Sequence, residues 1–237
     1  MRFTFTPEQE AFRTEVNAFL KDALPSSWEG IDNAIEEDDH AFGREFLKKL
    51  APKRWIAPAW PKQYGGLDLS LWDQVIFNEA MSYARAPIVN TAAVGYLGPT
   101  VILYGTDEQK KRHLGPIGQG ELNWCQGFSE PDAGSDLASL KTRALKQVNG
   151  FVVTGQKVWT TGAHLADWMF LLARTDPNLP KRKGISFFLL DMKSPGIVVR
   201  PLPNILGIGH HTCEVFFDRV WIPLENLVGG ENNGWEL

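Results

Sequence analysis

The sequence predicts an α+β multidomain protein, an all-α N-terminal helical domain followed by a small β-barrel or sandwich domain. Up to Gly120, apolar residues recur at helical spacing. Beyond it they come in short strand-like runs at regular spacing, separated by Pro/Gly turns. At 237 residues, with 43% hydrophobic and 11% aromatic content, the chain is long and apolar enough to bury a core in each part.

The first helix begins at Thr6. Thr6, Pro7 and Gln9 form a T-x-x-Q capping box with proline at the first helical position. Phe12, Val16, Phe19 and Leu20 follow on one face, and Pro25 stops the run. A second helix is expected over Asp39–Leu50, burying Phe42, Phe46, Leu47 and Leu50. "APAWPKQYGG" is loop by its prolines and glycines. Ser70 and Asp73 cap a third helix that carries Val75, Ile76, Ala80 and Met81 inward. Two more fit Thr91–Tyr104 and Thr106–Leu114, the second ended by Gly115 and Pro116. Trp55, Trp60 and Trp124 read as core.

"ELNWCQGF" then reads as a strand, and Asn149-Gly150 between two alternating runs is a hairpin signal. "WMFLLART", "ISFFLLDM", "GIVVRPL" and "CEVFFDRVWI" supply further strands, as in small sandwiches and barrels. The expected domains are 1–120 (helical) and 121–229 (β), with 230–237 the start of a further helical domain, since "VGGENNGWEL", Val228–Leu237, reads as a loop with a helix starting at its far side.

Several function classes lose ground on composition. A formal charge of -4 with no long basic run argues against nucleic-acid binding. Cys125 and Cys213 lack C-x-x-C spacing, so neither a zinc site nor a disulfide framework is indicated, and isolated thiols suit a reducing compartment. His210-His211 is a poor metal pair, since adjacent strand residues point to opposite faces. The N-terminus has no apolar core of the secretory kind, and no apolar run is long enough to span a bilayer. A cytoplasmic location, away from any membrane, is the expectation.

The stretch "GFSEPDAGSDLASLKTRA", Gly127–Ala144, is too broken for a helix and combines small residues with hydroxyls. Backbone N–H groups in such a loop are open to close approach by a ligand, and Ser129, Ser135 and Ser139 can donate or accept. A few residues on, "KVWTTG" places an indole and two hydroxyls together. A flat heteroaromatic ligand with polar edges suits that set; a metal does not. On the residues alone, Pro131–Gly134 also reads as an ordinary turn and Trp159 as an ordinary core residue, and spacing favours that plainer reading.

"FSEPDAGSDLASLKTRA" followed by "GQKVWTTGAHLADWMFLLART" resembles the flavin-binding signatures of the acyl-CoA dehydrogenase family. "APAWPKQYGG", "YGTDEQKKRHLGPIGQGE" and "EVFFDRVWIPLENLVGGENNGW" resemble its other landmarks in order, so the likeness runs over the whole chain. The resemblance implies a helical N-terminal domain, a middle β domain and a C-terminal four-helix domain that this chain lacks. It implies FAD as cofactor. The Phe128 and Ser129 backbones and the Ser129 hydroxyl would meet the flavin's pyrimidine edge, where the family often has threonine in place of Ser129. Ser135 would sit near the FAD pyrophosphate and the CoA thioester arm, Trp159 against the isoalloxazine and Thr161 near its N5. Gly134 and Thr160 complete the cofactor-binding set. Lys181, Arg182 and Lys183 are within positional reach of the CoA 3'-phosphate, although such a loop cluster is usually solvated.

The activity so implied is α,β-dehydrogenation of an acyl-CoA, with a glutamate removing the α-proton and electrons passing to an electron-transfer flavoprotein. No catalytic residue is expected within the chain, because the family's glutamate positions fall beyond Leu237. Glu130 reads as local structure. The chain therefore reads as a fragment inactive alone, becoming a homo-oligomer or heteromeric dehydrogenase when complete, and by itself a monomer or weak dimer. Alternatives are an acyl-CoA oxidase and a non-catalytic CoA- or flavin-binding subunit that needs a partner chain. "IAPAWPKQYGG" and "CEVFFDRV" are similar to bacterial members acting on branched or steroid side-chain thioesters, and the small residues of "NTAAVGYLG" leave room on a helix that borders the family's acyl channel.

Overall fold

Thr6 opens the first helix as the sequence requires: its hydroxyl accepts the Gln9 N–H at 3.3 Å, and the Gln9 side chain accepts the Thr6 N–H at 2.9 Å. The computed structural model describes residues 4–30, 37–87, 91–203 and 212–237. They fall into two compact units, 1–91 with 118–120, and 92–117 with 121–237.

The first unit holds α1 (Pro7–Ala23), α2 (Glu37–Leu50) and α3 (Leu71–Tyr83). Val16, Leu20, Phe46, Leu47 and Leu50 are buried. Trp55 sits at the centre of the aromatic packing, edge-on to Phe12 (6.1 Å), Phe19 (5.2 Å) and Phe77 (5.7 Å). The Ser70 hydroxyl accepts the Asp73 N–H and caps α3 as expected. Val75 does not face inward: it is half exposed, and Phe77 takes the inward place beside Ile76, Ala80 and Met81. The Trp55 ring explains the swap, since it gives Phe77 a partner that a valine two residues earlier cannot reach.

The segment expected as one helix over Thr91–Tyr104 is broken by a π turn, Ala93–Leu97, before α4 (Gly98–Tyr104). Pro99 has no N–H to continue an α ladder, and a π turn is one way a helix absorbs that defect. The next helix, α5, runs Asp107–Gly118 and passes through Gly115 and Pro116 rather than stopping there. Fully buried Ile117 lies in that extra turn, so burial outweighs the local stop signal. Thr106 and Gln109 form a second capping box, and the Gln109 amide donates to the carbonyls of Glu225 (2.7 Å) and Leu227 (2.9 Å). These bonds join α5 to the β region, with which 92–117 clusters.

The strands are β1 (Trp124–Gly127), β2 (Arg143–Gln147), β3 (Gly150–Thr161), β4 (Trp168–Arg174), β5 (Ile185–Asp191), β6 (Ile197–Pro201), β7 (Thr212–Pro223) and β8 (Leu227–Val228). They form one sheet in the order β6-β7-β3-β2-β4-β5-β8, with β1 beside β4. Phe151 and Val153 of β3 and Val215, Phe217 and Val220 of β7 pack with Met169 and Leu171 of β4 and Phe188 and Leu190 of β5. The sheet is thus folded over its own core, which is how a single sheet satisfies the barrel-or-sandwich expectation. Between its two halves, β2 meets β4 through one residue pair, Arg143 opposite Arg174.

The β2–β3 hairpin forms, but its two-residue loop is Val148-Asn149, because Gln147 pairs with Gly150. Gly150 is required for another reason: a Cβ there would stand 2.3 Å from the Ile222 carbonyl oxygen and 2.7 Å from the Trp221 ring. The tail after β8 is turn and coil to Leu237, not the beginning of a helix. It is tied to β5, with Gly234 N–H donating to the Ile185 carbonyl (2.8 Å) and Asn232 N–H to the Ser186 hydroxyl (2.8 Å). Its Gly234 has no room for a side chain, since a Cβ would lie 2.5 Å from Ser186 backbone carbon.

His113 of α5 is buried between Trp124 (5.2 Å) and Trp168 (4.9 Å), with neither ring nitrogen hydrogen-bonded among the described residues. Burial, with the Arg112 charge adding to it, pulls its pKa down to about 4, so it is a neutral core imidazole. Cys125 and Cys213 are buried thiols not joined in a disulfide, and burial raises both. Among the described residues no His/Cys/Asp/Glu cluster could hold a metal, and no helix is long and apolar enough to cross a membrane. His210-His211 lies outside the described residues.

Candidate functional site

Two segments of the second unit lie side by side: the loop after β1, from Phe128 to Leu140, and the end of β3, from Lys157 to Thr161. Val158 N–H donates to the Ser129 carbonyl at 2.9 Å and laces them together. Behind this seam Lys157, with no solvent exposure, donates from Nζ to the Phe128 carbonyl (2.8 Å) and to Glu130 Oε1 (2.8 Å). Glu130 also accepts the Lys141 N–H (2.6 Å) and the Thr142 N–H (2.8 Å). Burial alone would raise the Glu130 carboxyl, but the Lys157 charge and these donors outweigh it and hold it below the ordinary range. Burial pulls Lys157 down to about 8, with the Glu130 charge opposing the drop.

The trans peptide is planar, so a carbonyl and the following N–H point to opposite sides. With the Phe128 carbonyl turned inward onto Lys157, the Ser129 N–H points outward, and it finds no acceptor among the described residues. The Ser129 carbonyl is meanwhile turned in to Val158.

On the β3 side a bulge falls between Lys157 and Thr160, where the register against β7 shifts. It places Trp159 at φ 59°, in the left-handed region, with the residue 69% exposed. A non-glycine residue there costs about 1–2 kcal/mol, and a bulky one held so is a mark of functional constraint. Thr160 faces inward, its hydroxyl buried without a partner among the described residues, and Thr161 faces out. Gly134 and Ser135 are exposed, and a Cβ at Gly134 would meet nothing within 4 Å, so the fold itself does not demand the glycine. Beside the loop runs a groove of about 500 Å³, lined by Tyr96, Thr100 and Leu103 and by Phe128, Phe170 and Phe187. Phe170 and Phe187 stack at 5.9 Å, with Phe128 edge-on to both.

The basic loop is exposed but engaged. Lys181 pairs with Asp136 (2.9 Å), Lys183 with Glu236 (2.9 Å), and Arg182 lies over the Trp235 ring at 5.2 Å. Arg174 clips the neighbouring loops together, donating to the carbonyls of Ala138 (2.6 Å), Leu140 (3.3 Å) and Lys181 (2.5 Å).

Two family profiles match, the acyl-CoA dehydrogenase N-terminal domain over residues 6–121 and the acyl-CoA dehydrogenase middle domain over 125–220. The chain belongs to the acyl-CoA dehydrogenase family. Acyl-CoA dehydrogenase FadE29 of Mycobacterium tuberculosis is 37% identical over 239 residues, which take in all of this chain and 60% of that protein. The ChsE4-ChsE5 complex from Mycobacterium tuberculosis contains a chain 35% identical, with a TM-score of 0.88, covering 100% of this chain and 59% of the other. A chain of the Tcur3481-Tcur3483 steroid ACAD is 33% identical with the same TM-score, covering 100% and 60%. The chain thus spans about 60% of the length of these relatives.

Of the residues singled out in the sequence, the structure brings Phe128, Ser129, Trp159 and Thr161 together across the Ser129–Val158 seam, with Gly134 and Ser135 further along the same loop. Thr160 is the exception: its side chain is turned into the core, so only its backbone is open to a ligand. Lys181, Arg182 and Lys183 already hold local partners, although exposed pairs of this kind are weak and exchangeable. The partnership of Lys157 with Glu130, 27 residues apart, went unread. Its signal is parity, since Lys157 shares the inward register of Phe151 and Val153 on an alternating strand.

Proposed function

We propose that this chain is the flavin-cradling part of an acyl-CoA dehydrogenase that removes two hydrogens from the Cα–Cβ bond of an acyl-CoA thioester. The observation that carries the reading is Trp159, an exposed indole held at φ 59° beside an outward Ser129 N–H. The protein's own packing uses neither, and both suit a flat heteroaromatic ring with polar edges.

The residues fit FAD. Ser129, through its N–H and hydroxyl, and the Phe128 backbone would hold the polar edge of the ring. Trp159 would cover its face, Thr161 would approach from the β3 end, and Gly134 and Ser135 would leave room for the pyrophosphate. When bound, FAD supplies the hydride acceptor, which no side chain can provide. The chain's task is orientation and exclusion of water, and the aromatic wall of Phe128, Phe170 and Phe187 supports both. The α-proton has to be taken by a carboxylate outside these residues. Glu130 is committed to a buried cation and two N–H donors, so it is not free to act as a base.

The groove beside Tyr96 and Leu103 is the proposed acyl site, and its volume of about 500 Å³ suits a bulky substrate, in keeping with the steroid named for one relative. Two of the similar structures are named as pairs of different chains, which favours a heteromeric enzyme in which a second chain contributes to the site. Electron-transfer flavoprotein is the proposed acceptor, and Lys181, Arg182 and Lys183 the proposed CoA phosphate contacts after exchange of partners.

The test is titration with FAD, read by flavin fluorescence quenching, with Trp159→Ala alongside. Saturable binding weakened at least tenfold by the substitution supports the reading, and binding indifferent to Trp159 overturns the proposed cradle. Anaerobic bleaching of bound FAD by an acyl-CoA, after a base-bearing partner chain is added, then tests the reaction.

A further inference from the structure

We propose that Lys157 and Glu130 form a buried clamp that positions the flavin cradle, aiming the Ser129 N–H and fixing the loop against the Trp159 bulge. The proposal rests on the flavin reading above and goes beyond it by assigning a role to two residues that touch no ligand.

Three facts support a clamp rather than simple filling of the core. First, Lys157 Nζ spends one donor on a carboxylate and another on a backbone carbonyl, that of Phe128. The carbonyl bond, besides satisfying a buried donor, sets the Phe128–Ser129 peptide plane. Second, Glu130 carries the constraint onward, because its two oxygens also receive the N–H groups of Lys141 and Thr142 at the far end of the same loop. One ion pair therefore fixes residues 128, 130, 141 and 142 to β3. Third, Lys157 stands two residues before Trp159, where the register of β3 against β7 breaks. The clamp thus anchors the last regular residue ahead of the strained indole.

Burying a charged pair carries a desolvation cost that a hydrophobic pair of the same volume would avoid, so retaining one points to specificity of position rather than to stability. The charged groups facing Lys157 are Glu130, which favours its ammonium form, and Arg174 at the end of β4, which opposes it.

The experiment uses the full chain and three substitutions: Lys157→Met, Lys157→Arg and, as a core control on the same strand, Val153→Ala. Backbone hydrogen exchange is measured first, without flavin. Lys157→Met is expected to speed exchange at least tenfold at the hydrogen-bonded N–H groups of Glu130, Lys141 and Thr142 while leaving β5 unchanged. A rise spread evenly over the sheet, as Val153→Ala should give, would mean that Lys157 only fills the core and would overturn the clamp. FAD affinity is measured next, as a function of pH. Lys157→Met is expected to weaken it at least tenfold, and Val153→Ala by less than threefold. Wild-type affinity should fall as pH rises past about 8, where Lys157 loses its proton, and Lys157→Arg, which keeps its charge, should show no such fall. Equal losses in Lys157→Met and Val153→Ala, or a pH profile unchanged in Lys157→Arg, would also overturn the clamp. A wild-type chain that takes up no FAD sinks the flavin reading instead, and the clamp is then decided by the exchange data alone.

Discussion

Two tryptophans show how differently the two units use the same side chain. Trp55 is 3% exposed and ringed edge-on by Phe12, Phe19 and Phe77. Trp159 is 69% exposed, in a left-handed backbone conformation, beside a buried ion pair and the Thr160 hydroxyl, which has no partner among the described residues. Around Trp55 the rings pack against one another, and the left-handed neighbour Arg54 (φ 57°) closes a 3-10 turn, its N–H donating to the Ala51 carbonyl. Around Trp159 local rules are broken one after another, and such breaches gather where a protein gives up stability for a site.

Truncation at the first tryptophan should have the largest effect. Trp55→Ala is expected to cost about 3–5 kcal/mol in urea unfolding of the helical unit, since the ring's neighbours cannot collapse into the space it leaves. The second unit has its own closed aromatic cluster, around His113, and acid is the way to break it. The imidazole sits at about 4 in the fold against 6.5 when free. The unfolded chain therefore takes up a proton as pH falls below 6.5 while the folded one does not. Stability should decline from pH 6.5 to about 4, on the order of 3 kcal/mol in all, and His113→Phe should flatten that slope.

Glu130→Gln keeps the shape of the clamp and removes its charge. A loss of about 2 kcal/mol is expected, the scale of hydrogen bonds to a charged group, seen as a lower urea midpoint for the β unit. Thr6→Ala, which removes a cap from the well-behaved region, should cost about 1 kcal/mol by thermal melting. The smallest effect has the opposite sign. Trp159→Gly relieves the left-handed strain and should raise stability by about 0.5–1 kcal/mol while abolishing FAD quenching. A destabilised Trp159→Gly would mean that the indole is structural, and the contrast with Trp55 would fail.

The same contrast governs what the sequence makes legible. The Thr6 and Ser70 caps, the helical faces around Val16 and Phe46, and the short apolar strand runs are all local patterns, and they appear where expected. What escaped depends on partners far away in the chain. Phe77 replaces Val75 in the core because of Trp55, α5 passes Pro116 because Ile117 is buried, and the hairpin loop shifts by one residue because β7 crowds Gly150. The cradle residues are legible as a motif, but the clamp behind them is not, since lysines and glutamates far apart in sequence read as solvated until the fold brings them together.

The single rung between β2 and β4 carries a mechanical consequence. A sheet under load tears where its rungs are fewest, and here that is the Arg143–Arg174 pair. The polar rivets across this line are the Arg174 guanidinium on the carbonyls of Ala138 and Leu140, the Thr142 carbonyl accepting the Arg174 N–H at 2.7 Å, and the buried Lys157 ammonium on Phe128 and Glu130. Pulled apart in an optical trap, the β unit should yield there first, as two panels hinged on the core they share.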